Sequence, residues 1–229
     1  MISSDILVFS GRPSFDRIYA SCTGSTCTYT SDRFDINQTL NLSNWAVDEY
    51  QAIAVQNGIR LAQGRSAAED GSEFSVGYGG WLDSSAFAIQ RSTDARDAED
   101  ATVALALATS IGAAAGTNPV SGTATWAGVM VGWDVGSGPT RGNAINGHAG
   151  ITVDFANADV DVAFTNIFDL ETVLTRSSPI EWTDIDIKRG VFHDAPGSIQ
   201  GRFYGTNHEE VGGVFERDDI VGAFGARRD

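Results

Sequence analysis

Positive charge is scarce in this chain: 15 Lys and Arg stand against 30 Asp and Glu, giving a formal charge of −15. So anionic a surface repels phosphate backbones and anionic lipids, which argues against nucleic acid and membrane headgroups as partners. Long apolar runs are missing, so no stretch reads as a membrane-spanning helix, and no leader peptide is visible at the start. Proline is limited to 5 residues and cysteine to 2. The three histidines, His148, His193 and His208, sit apart among polar neighbours and are expected to be exposed, which leaves no obvious general base. No GxSxG elbow, P-loop or HExxH occurs. The chain is therefore not expected to be an enzyme.

What the sequence does have is glycine, 26 residues of it, and a hydrophobic fraction of 42%. With frequent Thr, Ser, Val and Phe, this suits an all-β protein. Residues 197–228 show the pattern best. Ile199, Gly201 and Phe203 alternate with Gln200, Arg202 and Tyr204. The alternation resumes in Val211, Gly213 and Phe215, and again in Ile220, Gly222 and Phe224. Period-two patterning of this kind predicts three strands with one face buried, and polar breaks between them predict a meander. Glycines inside strands mark close approaches in a curled sheet. Phe203, Phe215 and Phe224 are expected to line one barrel interior.

The run FYG, then EEVGGVF, then GAFGARR resembles the closing strands of the transferrin-binding protein B-like barrel family, over Phe203–Arg228. Weaker similarity continues through Gly122–Gly132 and Val160–Asn166. The family's FYGP becomes FYGT here, with Thr206 in place of proline. The resemblance implies an exported bacterial binding protein of the cell surface, outer membrane or secreted fraction, in which function sits in loops and in a smaller "handle". It leaves room for a lipid-bearing cysteine upstream as the only membrane attachment. It names no ligand: a protein, a haem or another small solute all fit, as does a structural or adhesive surface module with no small ligand. A monomer is expected.

Strands are countable along the second half: Thr123–Trp133, Asn143–Asp154, Asp159–Phe168, Ile180–Ile187, a short Val191–His193, and the three closing strands. Eight strands with short turns make an antiparallel up-and-down barrel, a size that fills with its own side chains. Thr117-Asn118-Pro119 reads as a linker. The expected division is a handle-like sheet over 1–116 and the barrel over 117–229. In the first half Asn57-Gly58 predicts a type I′ hairpin. Phe74–Tyr78 and Trp81–Ile89 read as strands flanking a turn at Gly79-Gly80. Val103–Ala115 reads as a strand, and Ser92–Asp100 as a solvated loop.

Cys22 and Cys27 flank four small or turn-forming residues, which places them across a hairpin tip. Two free thiols satisfy that spacing as well as a disulfide does; the exported family implies the disulfide. Asp159 and Asp161, and Asp184 and Asp186, are expected on the outer face of barrel strands. Glu209 and Glu210 are expected to cap a turn. Tyr204 and His208 are ligand-binding candidates, because tyrosine and histidine both ligate haem iron and both lie beside one turn. No other cofactor and no metal site is expected.

Overall fold

The computed structural model describes residues 3–10, 18–23, 26–31, 37–41, 50–67, 73–94, 104–118 and 122–229, with side chains over 55–64, 77–89, 108–118 and 122–229. Every regular element among them is a β-strand. Strands β1 (Ser3–Ser10), β5 (Tyr50–Gln56), β6 (Ile59–Ala67), β7 (Glu73–Trp81), β8 (Ser85–Asp94) and β9 (Ala104–Gly112) form one antiparallel sheet in the order β1-β9-β8-β7-β6-β5. Strands β2 (Ile18–Thr23), β3 (Thr26–Ser31) and β4 (Asn37–Asn41) form a small second sheet.

The remaining eight strands close into a barrel: β10 (Thr123–Asp134), β11 (Ala144–Asp154), β12 (Asp159–Asp169), β13 (Ile180–Lys188), β14 (Val191–His193), β15 (Ile199–Tyr204), β16 (Glu210–Arg217) and β17 (Ile220–Arg228). Closure comes from β17 pairing back onto β10, from Trp126↔Arg228 to Asp134↔Ile220. The all-β class, the eight-stranded barrel and the separate N-terminal sheet agree with the sequence reading.

The interior is packed, not hollow. Phe203, Phe215 and Phe224 all point inward and are fully buried, with Trp126, Met130, Phe164, Trp182 and Phe192. Ring centroids of Phe164 and Phe215 lie 4.6 Å apart, and those of Phe164 and Phe224 5.4 Å. The glycines of the closing strands now have a reason. Phe192 is the register partner of Gly201, and Phe215 of Gly222. In each pair the phenyl ring lies where a Cβ on the glycine would go. Large and small residues thus interdigitate across neighbouring strands, which is how a narrow barrel fills its bore.

A second core lies outside the barrel wall. Ile59, Leu61, Phe87, Ile89 and Ala108 of the sheet pack against Val129, Val131, Trp133, Val214, Val221 and Ala223. Strands β10, β16 and β17 are therefore covered on both faces, whereas β13, away from the sheet, alternates buried and exposed. This corrects one expectation. Tyr204 and the residues next to Gly222 and Phe224 are on the outward face as the alternation demands, yet they are buried, because the sheet lies on them.

The Asn57-Gly58 turn has φ of 49° and 73°, the positive pair a type I′ hairpin needs, and Asn57 Nδ2 donates to the Gly128 carbonyl at 2.7 Å. Gly79-Gly80 is not a turn. Both glycines lie inside β7, and the reversal occurs at Leu82–Ser84, where Leu82 N donates to Ser85 O at 2.8 Å. The pair answers to packing: a Cβ on Gly80 would meet the Phe87 ring at 2.9 Å. Of the proposed Ser92–Asp100 loop, the first three residues belong to β8 and the others lie outside the described residues. The chain between sheet and barrel is strapped down. Ala114 bridges to Tyr204, Ala115 N donates to Phe203 O, and Asn118 accepts from Gly190 N at 2.7 Å while donating to Ile187 O.

Candidate binding surface

The sequence-derived candidates do not gather at one site. Tyr204 projects from the end of β15 into the sheet–barrel layer, where its hydroxyl lies 3.0 Å from Ser110 Oγ. His208 sits on the β15–β16 connection, edge-on to Phe203, with Nε2 2.8 Å from the Thr117 carbonyl oxygen. A carbonyl only accepts, so Nε2 carries the proton. Each side chain thus has a holding role: Tyr204 seats the sheet and His208 ties the inter-sheet connection. His208 is half-buried rather than exposed, as is His148, while His193 is exposed. Cys22 and Cys27 are direct register partners across the β2–β3 hairpin; their side chains lie outside the described residues.

Asp154, Asp159, Asp161, Asp184 and Asp186 cluster at one rim of the barrel. The β12–β13 register shifts between Val160 and Val162, Asp184 takes φ of 56°, and its N–H donates to Asp161 Oδ1 at 2.9 Å. Partial burial and the like charges of Asp154, Asp184, Asp161 and Asp186 push the Asp159 carboxyl above its ordinary value.

The Glu209-Glu210 pair divides its work. Glu209 caps its turn as expected, accepting from the Asn207 N–H and Nδ2. Those hydrogen bonds hold its carboxyl below the ordinary value. Glu210 does something else. It is 2% exposed and reaches across to the β7–β8 turn. Its Oε1 accepts from Asp83 N at 2.7 Å and Ser84 N at 3.0 Å, and its Oε2 accepts from Ser85 Oγ at 2.6 Å. A buried carboxylate is tolerable when donors surround it, and here the donors belong to the other sheet. Arg227 Nη2 adds an exposed pairing with Asp83 at 3.4 Å.

At the opposite rim, the loop between β12 and β13 is held by a dense set of hydrogen bonds. Asp169, 4% exposed, is its base. Its Oδ1 accepts from Glu171 N and Thr172 N, each at 2.8 Å, and its Oδ2 from Asn143 Nδ2 at 2.7 Å. Burial pushes the Asp169 carboxyl up, but the bonds from Thr172, Asn143 and Glu171 outweigh it and hold it below its ordinary value. Arg176 pins the far side: Nη2 meets Asp134 Oδ2 at 2.9 Å and Nη1 donates to the Asp218 carbonyl at 3.0 Å. Val173 and Leu174 stand at the tip, 73% and 64% exposed. Sequence reasoning passed over this loop. The one local signal was Asp169 itself, since an aspartate at a strand end favours an Asx-type turn.

Comparison with known proteins bears on the barrel. The family model for the C-lobe and N-lobe β-barrels of transferrin-binding protein B matches residues 118–228. Among solved structures, an isotype 1 transferrin-binding protein B from Neisseria meningitidis is similar over 99% of this chain, at 17% identity and a TM-score of 0.52. A variant of transferrin-binding protein B from Haemophilus parasuis matches 99% of the chain at 11% identity with a TM-score of 0.49. The N-lobe domain of a lactoferrin-binding protein B from Moraxella bovis matches 73% of this chain and 79% of its own, at 15% identity and a TM-score of 0.38. This chain spans 43% and 44% of the first two. No curated protein matches it. Identity this low speaks to fold alone, but the family match falls on the strands that close the barrel and on the Phe203–Arg228 segment that suggested it. Residues 118–228 of this chain match the model of the transferrin-binding protein B β-barrels, and the eight strands there close into a barrel.

Proposed function

We propose that this chain is an exported, non-enzymatic surface binding protein that captures a protein ligand through its outer loops and N-terminal sheet. The observation carrying this reading is a family barrel whose bore is filled by its own aromatic rings, from Trp126 to Phe224. A filled bore leaves the outside as the working surface, and loops on a rigid scaffold are where such surfaces are built. The sheet, latched by Glu210 and Tyr204, extends that surface rather than swinging freely. Haem through Tyr204 and His208 is the weaker reading, since both side chains already have structural partners.

The relatives are named for binding transferrin and lactoferrin, so these are the first ligands to test. Calorimetric titration of the purified chain with transferrin, with lactoferrin and with haem should give heats for one of the proteins and none for haem. Saturable haem binding with neither protein bound would overturn the reading.

A further inference from the structure

Two things set the tip of the β12–β13 loop apart. Among the described residues the exposed large hydrophobics are Val55, Val173 and Leu174, and the last two are adjacent. Val173 also has φ of 59°. A β-branched residue in the left-handed region is a genuine outlier; glycine or asparagine would take the same backbone at less cost. The chain thus bears conformational strain to place an apolar side chain in water. Nothing in the packing returns that cost, since Val173 covers no core. Strain of this sort collects where a surface engages a partner.

The tip is also prepared for contact. Val173 N donates to Asp169 O and Asp169 N to Leu174 O, both at 2.9 Å, while Leu170 N donates to Ala144 O at 2.8 Å. With the Asp169 carboxylate and Arg176 at its base, the loop has little freedom left to lose on binding, which is what a pre-organised anchor requires. Its flanks are acidic. Glu171 is on the loop, and Asp218 and Asp219 are exposed on the β16–β17 turn, which Arg176 joins to the loop. The whole chain carries −15.

We infer that Val173 and Leu174 are the anchor by which this chain grips a protein partner, and that the partner offers an apolar pocket rimmed by basic side chains. This rests on the binding-protein reading above. The acidic flanks disfavour a second copy of this chain, which would set like charges together.

The test compares the unaltered chain with a Val173→Asn/Leu174→Ser double variant for affinity to transferrin and lactoferrin, alongside thermal melts. Asparagine accepts the left-handed backbone, so the loop keeps its shape. The double variant should bind the preferred protein at least about tenfold more weakly, as for loss of a central anchor. It should melt no lower than the unaltered chain. Weakening salt dependence of binding in a Glu171→Gln variant would support the basic rim. Equal binding by the double variant overturns this inference and leaves the parent reading standing. A clearly lowered melting temperature also overturns it, because Val173 would then serve the fold. Binding of neither protein by the unaltered chain overturns both.

Discussion

Replacing Glu210 tests how the sheet is held to the barrel. The carboxylate is 2% exposed and receives two backbone N–H groups and one hydroxyl from the Asp83–Ser85 turn. In Glu210→Gln one oxygen stays and keeps the two N–H bonds, without the charge. The new amide faces Ser85, whose hydroxyl can turn to accept. The loss is then charge assistance on two or three bonds, roughly 1 to 2 kcal/mol. Glu210→Ala removes the acceptor altogether and leaves the turn's N–H groups facing an apolar gap, which costs roughly 3 to 5 kcal/mol. For a chain of this length each kcal/mol lowers the melting midpoint by about 2 to 4 °C. Urea titrations followed by tryptophan fluorescence and by far-UV circular dichroism give the assay. Trp133 and Trp126 report the sheet–barrel layer and the barrel bore respectively. Alanine should fall well below glutamine, and glutamine below the unaltered chain. Midpoints for all three within error of one another would refute the reasoning, since a buried carboxylate with these donors cannot be lost without effect.

Phe215→Ala should cost roughly 3 to 5 kcal/mol by chemical denaturation, because the cavity opens among Phe164, Trp182 and the Gly222 backbone. Unchanged melts would place the ring outside. Asp169 is held below its ordinary value of 3.8, so its contribution is complete above that value and fades as pH falls through the lower folded one. Asp169→Asn should accordingly flatten the acid limb of a stability–pH curve. Asp159 is pushed up, the opposite sign: its charge opposes folding at neutral pH and protonation relieves it. Asp159→Asn should gain a few tenths of a kcal/mol at pH 7, small because the group is largely solvated, with the gain gone at low pH. Cys22 and Cys27, register partners in their hairpin, should show a mass two hydrogen atoms lighter than the reduced chain under non-reducing conditions. Two alkylatable thiols in protein from an oxidising compartment would refute the disulfide.

The barrel was legible because period two is a local signal. Ile199, Phe203, Val211, Phe215, Ile220 and Phe224 could be assigned to one face from their spacing alone. The Asn57-Gly58 hairpin was equally local. Gly79-Gly80 misled for the complementary reason: glycine pairs signal turns, and the demand these two meet comes from Phe87 on the next strand. The partners of Glu210 lie 125 to 127 residues away, and no pattern within reach of a turn discloses them. The strain at Val173 has no compositional mark at all, since valine is not a residue that signals a left-handed backbone.

The doubly covered wall made by β10, β16 and β17 bears on any attempt to produce the barrel by itself. Cutting the chain ahead of Thr123 would leave eight well-paired strands and a complete bore. It would also lay bare Val129, Val131, Trp133, Val214, Val221 and Ala223 as one continuous greasy stripe on three adjacent staves. A patch of that kind recruits whatever apolar surface is nearest, which in a concentrated preparation is another truncated copy. The N-terminal sheet is in this sense the barrel's built-in solubiliser, and shortened versions meant for ligand screening need those six outward positions made polar.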